Sequence, residues 1–283
     1  MKLANKTALI TGASGVIGSA IARVFAKEGA ALILSGQSNQ KLLALQSELS
    51  AETSVQIFPC DVGELSQVEA LFNFVAGVTA KLDIVVTAAG TFGEIGSLEQ
   101  CDAKRWTDAI AVNLFGTAWC IKYALPLLKK NKSASIITFA GGGEGAMQNF
   151  SSYVSSKGAV LRLTETLAQE LASYKISVNA ISPGLVNSGL MEDIVAAGVD
   201  RAGTKAYQQA LDEHSGQGEA VSPEKAAALA VWLASEASRG LTGKNISAIW
   251  DKYEDIPAHL KEIMSSDIYN SRRIKPKDRG YAW

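Results

Sequence analysis

Several residue types that mark a particular class of protein are scarce in this chain. Its 283 residues include three cysteines, two histidines and six prolines. A small, odd number of cysteines in a chain of this length argues against a disulfide-stabilised scaffold. The histidines, His214 and His259, lie far apart, and no cysteine or carboxylate cluster accompanies them at ligand spacing. We therefore predict no metal site.

Charge of one sign and long apolar runs are also missing. Lysine plus arginine number 27 and aspartate plus glutamate 28, a net charge of -1. This balance provides no field that attracts nucleic acid or an anionic membrane. No apolar run approaches the ~18 residues that span a bilayer, and the first ten residues reach a Thr-Gly turn too early for a secretion signal. We predict a cytoplasmic protein with reduced thiols that binds neither nucleic acid nor membrane.

The chain has enough apolar residues, 47%, to bury a full core. Short β-branched runs predict buried strands at 7–10, 31–34, 55–58, 84–87, 135–139, 177–181 and 246–249. Helical spacing predicts helices between them, at 17–27, 40–49, 65–78, 106–129, 153–173 and 223–234. This alternation predicts an α/β fold: a Rossmann-type doubly wound parallel β-sheet of about seven strands flanked by helices, in one domain over residues 1–250.

Two regions depart from this alternation. Residues 187–221 are long, glycine-containing and weakly periodic, which is typical of a substrate lid, although a plain surface loop has the same pattern. Residues 251–283 form a C-terminal extension with three Tyr and one Trp that ends in a basic cluster. Its Arg272 and Arg273 suit a phosphorylated or nucleotide-linked sugar, or a neighbouring subunit's site. The alternative is a solvated, partly ordered tail.

A glycine-rich turn follows the first predicted strand and opens the first predicted helix. It reads Thr-Gly-Ala-Ser-Gly-Val-Ile-Gly from residue 11 to residue 18. Glycine lets backbone N–H groups approach a pyrophosphate closely, and the helix N-terminus adds partial positive charge. An ordinary glycine-rich turn is the alternative. The context predicts nucleotide contacts from Gly12, Ser14, Gly15, Ile17 and Gly18.

The end of the second predicted strand bears on which nucleotide binds. NAD sites usually place a carboxylate there to accept from the ribose hydroxyls, but the chain reads Ser-Gly-Gln-Ser from residue 35. No carboxylate repels a 2′-phosphate and no arginine clamps one, while Gln37 and Ser38 can donate hydrogen bonds to it. We therefore favour NADP(H) over NAD(H). Asp61, after the third strand, suits the adenine amino group or a turn.

Tyr153 and Lys157 are four residues apart on a predicted helix and therefore share one face. A cation beside a phenol favours the phenolate and lowers the pKa of the phenol. A tyrosine tuned in this way can donate a proton to a carbonyl as hydride arrives, or take one from an alcohol as hydride leaves. The pair alone carries little weight, because many helices expose one.

The glycine turn and the Tyr-Lys pair together make residues 3 to about 250 resemble the short-chain dehydrogenase/reductase family. Three further motifs support the resemblance: Thr-Ala-Ala-Gly at 87–90, Val-Asn-Leu around Asn113, and Pro-Gly at 183–184 with Val186 and Ser188 after it. The resemblance implies cofactor contacts from Asp61, Val62, Ala88, Ala89, Gly90, Tyr153, Lys157, Pro183, Gly184, Val186 and Ser188.

The resemblance also implies a role for each catalytic residue. Tyr153 is the general acid/base, and Lys157 holds the nicotinamide ribose hydroxyls and lowers the pKa of Tyr153. Asn113 fixes a water that links Lys157 to solvent as a proton relay, and the cofactor carries the hydride. In the family, the helices predicted at 106–129 and 153–173 build a dimer interface, often within a tetramer. We therefore expect a homodimer or homotetramer.

The chain departs from the family's pattern in two places that matter for chemistry. The glycine turn has the spacing usual in the longer branch that modifies sugar nucleotides, with Val16 where most compact members have the middle glycine. Ala140 or Gly141 stands where the family places a serine that polarises the substrate carbonyl, and neither side chain donates a hydrogen bond. Loss of one such donor typically costs about 2.7–4 kcal/mol of transition-state stabilisation.

Three interpretations of the missing serine are open. A replacement donor comes from Ser151, Ser152, Gln148 or the backbone of the glycine run at 141–143; the substrate brings its own hydrogen-bonding groups; or the protein binds cofactor without turnover. The glycine run also clears space for a bulky substrate. Glu144 beside it suits substrate hydroxyls, or is a solvated loop charge.

These patterns favour an oxidoreductase that interconverts a ketone and a secondary alcohol with NADP(H). Its substrate is a polar small molecule, such as a sugar or sugar nucleotide. One alternative is a 3-oxoacyl-thioester ketoreductase, which the missing serine weakens. The other is a catalytically silent NAD(P)-binding sensor or scaffold. The joint presence of Asn113, Tyr153 and Lys157 argues against the silent protein, which needs none of them.

Overall fold

Parallel strands form one sheet at the centre of the protein. A computed structural model describes residues 1–141 and 145–283. The strands in these ranges are β1 (Thr7–Thr11), β2 (Ala31–Gly36), β3 (Val55–Pro59), β4 (Ile84–Thr87), β5 (Ala134–Phe139), β6 (Ile176–Ser182) and β7 (Asn245–Ser247). Their order is β3-β2-β1-β4-β5-β6-β7, and every neighbouring pair is parallel. The predicted fold class is confirmed, and each predicted strand is present within two residues at either end.

Helices cover both faces of the sheet. They are α1 (Val16–Lys27), α2 (Asn39–Leu49), α3 (Leu65–Val78), α4 (Ala103–Ile110), α5 (Gly116–Leu128), α6 (Ser151–Glu170), α7 (Gly189–Ala197), α8 (Val199–Ala202), α9 (Thr204–His214), α10 (Pro223–Ala234) and α11 (Leu260–Met264). Short 3-10 segments lie at Leu98–Gln100, Ala172–Tyr174, Glu236–Ser238, Tyr253–His259 and Pro276–Arg279.

Successive side chains of a strand point to opposite faces of the sheet, and here both faces are buried. Ile10 of β1 packs in one apolar cluster with Phe25 of α1 and Trp232 of α10. Its neighbour Leu9 packs in a second cluster on the other face, with Ile121 of α5. A strand covered on both faces is apolar at consecutive positions. This is the physical reason that short apolar runs predicted the strands correctly.

The helix predicted at 106–129 is longer than expected and is not uniformly α-helical. α4 begins at Ala103 because the Asp102 carboxylate accepts the Arg105 N–H at 2.8 Å and caps the helix. A π-helical turn, Ala111–Phe115, joins α4 to α5 and contains Asn113. Turns of this kind are rare and frequent at functional sites.

The segment 187–221, expected to be weakly periodic loop, is largely helical. It contains α7 and α8, which are too short to show a clear period in the sequence, and α9, an 11-residue helix that was not predicted. Gly198 and Gly203 separate them with φ angles of +79° and +83°, a backbone region that glycine adopts readily. The three helices pack in a third apolar cluster that includes Phe92, Phe150 and Tyr153. The segment therefore lies against the tyrosine that was predicted to be catalytic.

The extension 251–283 is anchored to the domain at a few positions, while most of its side chains are exposed. Ile256 and Ile263 are buried in the same apolar cluster as Ile10. The extension also pairs one backbone group at the free edge of β7, because Asn245 donates its backbone N–H to the carbonyl of Tyr269 at 2.9 Å. The extension thereby pairs part of an edge strand that would otherwise present free backbone groups.

The helical stretch Ala103–Leu128 corrects one expectation about apolar runs. It has 26 residues, and its most apolar window has a mean hydropathy of 1.3, which by length and composition alone is enough to cross a membrane. Charged residues interrupt the stretch, so it contains no long uninterrupted apolar run. Within the fold α5 packs against α3, β4 and β5. Core helices of sheet proteins pass the same test, so this one is weak evidence for a membrane span.

Candidate active site and cofactor-binding site

The carboxyl ends of the strands form a crevice at the point where the strand order reverses. β1 lies between β2 and β4, so the chain leaves β1 toward one side of the sheet and later returns on the other. In open α/β sheets ligands bind at such a reversal, beyond the carboxyl ends of the strands. The glycine turn, which begins at the end of β1, is located here.

Two glycines of the turn are required by close contacts. Gly12 has a φ of +69°, and a Cβ at this position would lie 2.4 Å from the backbone nitrogen of Ala89. A Cβ at Gly18 would lie 2.2 Å from the carbonyl oxygen of Gly12. No side chain fits at either distance. The turn is therefore folded tightly against the Ala88–Ala89 backbone after β4, which joins two of the predicted cofactor motifs.

The N-terminus of α1 opens directly onto this turn. Gly15 is its N-cap, no side chain caps it, and the first helical turn contains no acidic residue. The partial positive charge of the helix end is therefore not neutralised locally. Val16 is 38% exposed at the first helical position, so it does not fill the turn. The residues present fit a pyrophosphate despite the altered glycine spacing.

Of the two residues after β2 that were predicted to contact the cofactor, one is exposed to solvent and the other caps a helix. Gln37 is exposed. Ser38 is the N-cap of α2, and its hydroxyl oxygen accepts the Lys41 backbone N–H at 3.3 Å. Ser14 of the glycine turn lies over Gly36, where a Cβ would be 2.5 Å from the serine Oγ. The glycine turn and the end of β2 are thus in direct contact.

A cavity of about 310 Å³ beside the glycine turn contains two cations that the sequence analysis did not consider. Arg23 is paired with Glu48, with Nε 2.7 Å from Oε1. Lys41 forms no ion pair in the described part of the chain. Neither cation is among the residues directly after β2, where a nucleotide's ribose end was expected to bind. The available signal was a lysine in the first turn of a helix, where a cation is electrostatically disfavoured.

Asp61 has the turn geometry that the sequence analysis named as its alternative role. Its Oδ1 accepts the backbone N–H of Gly63 at 2.8 Å, and its own N–H donates to the Gln67 side chain at 2.9 Å. The second carboxylate oxygen forms no hydrogen bond with a described residue. Val62 is buried against Gly116 of α5, where a Cβ would lie 2.7 Å from its Cγ2.

Asn113 is fully buried and holds the segment after β4 in place. Its side-chain amide donates to the Thr91 carbonyl and to the Ser156 hydroxyl, each at 2.9 Å, and its Oδ1 accepts the Thr91 N–H at 2.9 Å. A Cβ at Gly90 would lie 3.4 Å from Asn113 Oδ1 and 3.5 Å from Lys157 Nζ. Gly90, Asn113 and Lys157 therefore converge at the end of β4.

Tyr153 and Lys157 share the buried face of α6, as their spacing predicted. The Lys157 ammonium donates to the Phe139 carbonyl at 3.2 Å and lies 6.0 Å from the centre of the Tyr153 ring. Burial raises the pKa of Tyr153 to about 12 and lowers the pKa of Lys157 to about 8. The expected lowering of the Tyr153 pKa by Lys157 is wrong for this structure, because desolvation of both side chains is the larger influence.

The end of β5 shows what occupies the place of the family's serine. Ala140 is buried, and a Cβ at Gly141 would lie 2.1 Å from the Tyr153 Oη. A serine at residue 141 is therefore sterically incompatible with this position of the phenol. Gly142, Gly143 and Glu144, which were predicted to clear space and to bind hydroxyls, lie outside the described residues.

The side chains suggested as replacement donors are mostly engaged elsewhere. The Ser152 hydroxyl is fully buried and donates to the Phe92 carbonyl at 3.1 Å. The Ser151 hydroxyl accepts from the indole nitrogen of Trp106 at 3.0 Å, which holds it toward α4. Gln148 is exposed.

The segment after β6 is positioned by a second glycine with positive φ. Gly184 has a φ of +79°, and a Cβ there would lie 2.8 Å from Ile249 Cγ1. Pro183 precedes it at the end of β6, and Val186 is buried. Ser188 is the N-cap of α7 but forms no side-chain cap hydrogen bond, so its hydroxyl is available to a ligand.

A cavity of about 450 Å³ lies between the segment after β4, α4 and the helices α7 and α8. Glu94 lines this cavity and is a buried charged residue, with 3% of its surface exposed. Arg201 of α8 hydrogen-bonds to one carboxylate oxygen, and Arg105 Nε lies 3.0 Å from the other in an ion pair without hydrogen-bond alignment. Asp193 also lines the cavity, and burial raises the pKa of its carboxyl.

Other candidate binding groups are less suited to a ligand. Arg272 is paired with Asp267 and with Asp278, so its charge is already neutralised. Arg273 is exposed. Within the described ranges, no three His, Cys, Asp or Glu side chains are close enough together to hold a metal ion.

Comparison with known protein sequences points to one family. A family model described as enoyl-(acyl carrier protein) reductase matches residues 12–248. An L-fucose dehydrogenase from Oryctolagus cuniculus is 33% identical over 241 residues, which cover 84% of this chain and 81% of that protein.

Solved structures share the same fold over most of the chain. A xylitol dehydrogenase bound to NAD+ matches with a TM-score of 0.78 at 25% identity, covering 87% of this chain and 98% of that one. The RhlG/NADP active-site complex from Pseudomonas aeruginosa matches with a TM-score of 0.76 at 29% identity, covering 89% and 98%. One of these neighbours was thus solved with NAD+ and the other with NADP.

Proposed function

Because this chain belongs to the short-chain dehydrogenase/reductase family, a family of NAD(P)-dependent oxidoreductases, we propose that it interconverts a ketone and a secondary alcohol with Tyr153 as general acid/base. One observation carries the proposal. A Cβ at Gly90 would lie 3.4 Å from Asn113 Oδ1 and 3.5 Å from Lys157 Nζ, so these groups meet at the end of β4, beside the face of α6 that carries Tyr153 and Lys157. The Tyr153 phenol, the Lys157 ammonium and the Gly90 backbone thereby lie close together near the glycine turn.

The residues present fit a nicotinamide nucleotide. The turn from Gly12 to Gly18 would receive the pyrophosphate, because its backbone leaves no room for side chains. Asp61 has one carboxylate oxygen for the adenine amino group, and Ser188 has a hydroxyl for the carboxamide. Lys157 would hold the ribose hydroxyls. A bound nicotinamide supplies or accepts the hydride.

The proton chemistry favours Tyr153 as an acid. Because burial raises the pKa of Tyr153 to about 12, the phenol keeps its proton at neutral pH and can donate it to a carbonyl oxygen. Lys157, whose pKa burial lowers to about 8, is close to its titration range and can exchange a proton with its surroundings. Asn113 holds the Thr91 backbone and so keeps the floor of the site rigid.

We propose a sugar or a related polyol as the substrate. Glu94 in this cavity is paired with Arg105 and Arg201, but each guanidinium has further N–H donors and Asp193 adds a carboxylate, a combination that suits vicinal hydroxyls. Phe92, between the lining residues Thr91 and Gly93, packs on Tyr153 with ring centres 4.7 Å apart. The similarity to an L-fucose dehydrogenase and a xylitol dehydrogenase supports this substrate class.

We further propose that NADP(H) is preferred over NAD(H). The end of β2 carries no carboxylate, and the cavity beside the glycine turn adds the ammonium of Lys41, which no described carboxylate neutralises. A 2′-phosphate is dianionic near neutral pH and gains most from such a group. We expect the enzyme to be cytoplasmic and to form a homodimer or homotetramer through α5 and α6.

Two other functions are distinguished by experiment. The absence of a serine at residues 140 and 141 favours a silent cofactor-binding sensor. The match to a family model described as enoyl-(acyl carrier protein) reductase favours a 3-oxoacyl-thioester reductase. Fluorescence titration with NADPH and NADH tests the cofactor site. Turnover of L-fucose, xylitol and a 3-oxoacyl thioester then separates the substrate classes. Cofactor binding with no turnover of any of the three identifies the silent protein, and no binding of either nucleotide contradicts the proposal.

A further inference from the structure

We infer that the backbone N–H of Gly141 is the second hydrogen-bond donor to the substrate carbonyl, beside the Tyr153 hydroxyl. This inference rests on the proposed function and deepens it. A carbonyl that receives hydride develops negative charge on its oxygen, and a fixed backbone donor aimed at that oxygen stabilises the transition state. The main chain at Gly141 thereby takes the carbonyl-polarising role of the serine side chain that this protein lacks.

The first supporting observation is the contact between Gly141 and the phenol. A Cβ at residue 141 would lie 2.1 Å from Tyr153 Oη, 2.8 Å from its Cζ and 3.3 Å from Lys157 Cγ. Since a Cβ is one bond from its Cα, the hydroxyl lies directly against the Gly141 backbone. A carbonyl oxygen that accepts from the phenol is therefore also beside this stretch of main chain.

The backbone pairing at the end of β5 supports the same donor. The Ala140 N–H donates to the Ile181 carbonyl of β6 at 2.9 Å. Gly141, the next residue, lies beyond the end of β5, and its N–H does not continue this pairing. It donates to no acceptor in the part of the chain that the structure describes.

A backbone N–H that has no partner among the described residues is significant where it lies beside a general acid. Gly141 is half-buried, and backbone donors withdrawn from water are nearly always paired, so this N–H is suited to an acceptor that arrives with the ligand. The competing hydroxyls are less well placed. Ser152 and Ser156 each donate to a backbone carbonyl, at 3.1 and 2.7 Å, and Ser151 is held by Trp106.

The direct test replaces the amide at residue 141 by an ester. The Gly141→glycolate substitution, introduced by nonsense suppression in cell-free synthesis, removes the N–H and adds no side chain. With L-fucose or xylitol as probe, we expect kcat to fall about 100- to 1000-fold, the effect of removing one such donor. The Kd for NADPH should change less than threefold. The matched control is Gly145→glycolate, because Gly145 has no atom within 4 Å of its Cβ position.

Side-chain substitutions at the end of β5 give a second, independent test. Gly141→Ala should displace the phenol and lower kcat, whereas Ala140→Ser should change kcat less than threefold because the carbonyl already has two donors. In a Tyr153→Phe background, Gly141→Ala should lower the Tm by less than in the wild type, since the hydroxyl is gone. This stability coupling tests the contact without any substrate.

The outcomes separate this inference from the proposed function. A wild-type kcat in Gly141→glycolate, a tenfold gain in Ala140→Ser, or a hundredfold loss in Ser151→Ala or Gln148→Ala overturns the backbone donor while leaving the oxidoreductase intact. A wild-type protein that binds NADPH but oxidises neither probe, nor reduces a 3-oxoacyl thioester, overturns both. An equal loss of Tm for Gly141→Ala in the two backgrounds overturns the contact.

Discussion

Arg201 of α8 hydrogen-bonds to the buried carboxylate of Glu94, a residue 107 positions earlier in the chain. Its Nε also donates to the Ile95 carbonyl at 2.8 Å. The segment that carries α7, α8 and α9 is thereby attached to the loop after β4. Phe92 of that loop contacts Tyr153, so the ion pair connects the predicted lid to the surroundings of the general acid.

Removal of this link should loosen the lid. Arg201→Ala leaves the Glu94 carboxylate with Arg105 as its remaining partner. We expect the free energy of unfolding to fall by about 1.5–3 kcal/mol, the range for a hydrogen bond to a charged group. Limited proteolysis within residues 187–221 should become faster. Urea unfolding and a protease time course measure the two effects.

The matched control is an ion pair of similar length at the surface. Arg239 pairs with Glu236 three residues earlier, and both side chains are well exposed. Arg239→Ala should lower the free energy of unfolding by less than about 1 kcal/mol and leave proteolysis unchanged. Equal effects of Arg201→Ala and Arg239→Ala would contradict the role of Glu94 in holding the lid.

The buried ammonium of Lys157 predicts a pH dependence of stability. Burial lowers its pKa from 10.5 to about 8, so between these pH values the unfolded chain binds more protons at this residue than the folded chain. The free energy of unfolding should therefore rise with pH in that window, by about 3 kcal/mol at most from this group. Lys157→Met should remove the rise. Urea unfolding of both proteins from pH 7 to pH 10 checks it, and parallel curves would contradict it.

Loss of the phenolic hydroxyl should stop chemistry without affecting cofactor binding. Tyr153→Phe removes the proton donor but keeps the ring that packs on Phe92. We expect kcat to fall by about 100- to 10,000-fold, the usual contribution of a general acid. The Kd for NADPH should stay within threefold of wild type. Retention of more than a tenth of the wild-type kcat would remove Tyr153 from the mechanism.

Lys41 should decide between the two nucleotides. In Lys41→Ala we expect the Kd for NADPH to rise about tenfold, or about 1.4 kcal/mol, and the Kd for NADH to change less than twofold. The preference of the wild type should weaken with added salt, because the contact is exposed. Lys27→Ala, at the far end of α1, is the control. Equal changes for NADPH and NADH would show that Lys41 does not contact a 2′-phosphate.

Lys244 should hold the C-terminal extension on the domain. Its side chain is 3% exposed, and its ammonium donates to the Ser266 and Ile268 carbonyls at 3.0 and 2.9 Å and to Asn270 Oδ1 at 2.6 Å. Lys244→Met should lower the free energy of unfolding by about 1–3 kcal/mol, because these acceptors lose their donor. Hydrogen exchange should rise in residues 251–271 but not in α1. Unchanged exchange there would contradict this role.

Local signals were enough for the predicted sheet and for much of the candidate site. Strands buried on both faces are apolar at consecutive positions, so short apolar runs in the sequence were enough to locate them. Gly12 and Gly18 were identifiable because a tight turn before a helix imposes backbone conformations that glycine meets. The helical period likewise placed Tyr153 and Lys157 on one face. The lid helices α7 and α8 escaped detection because each is shorter than the window in which a period shows. The third, α9, is as long as the correctly predicted α2, and its period was missed.

The sequence by itself therefore determined the parallel sheet, the glycine turn and the Tyr-Lys pair, since each depends on residues close together in the chain. Only the tertiary structure decided that Gly141 lies against the Tyr153 hydroxyl, that Lys41 lines a cavity together with the glycine turn, and that Arg201 meets Glu94. It also reversed the expected direction of the Tyr153 pKa shift, because burial depends on every element packed around the phenol. Contacts between residues distant in the chain are set by how the layers pack, and no local pattern encodes them.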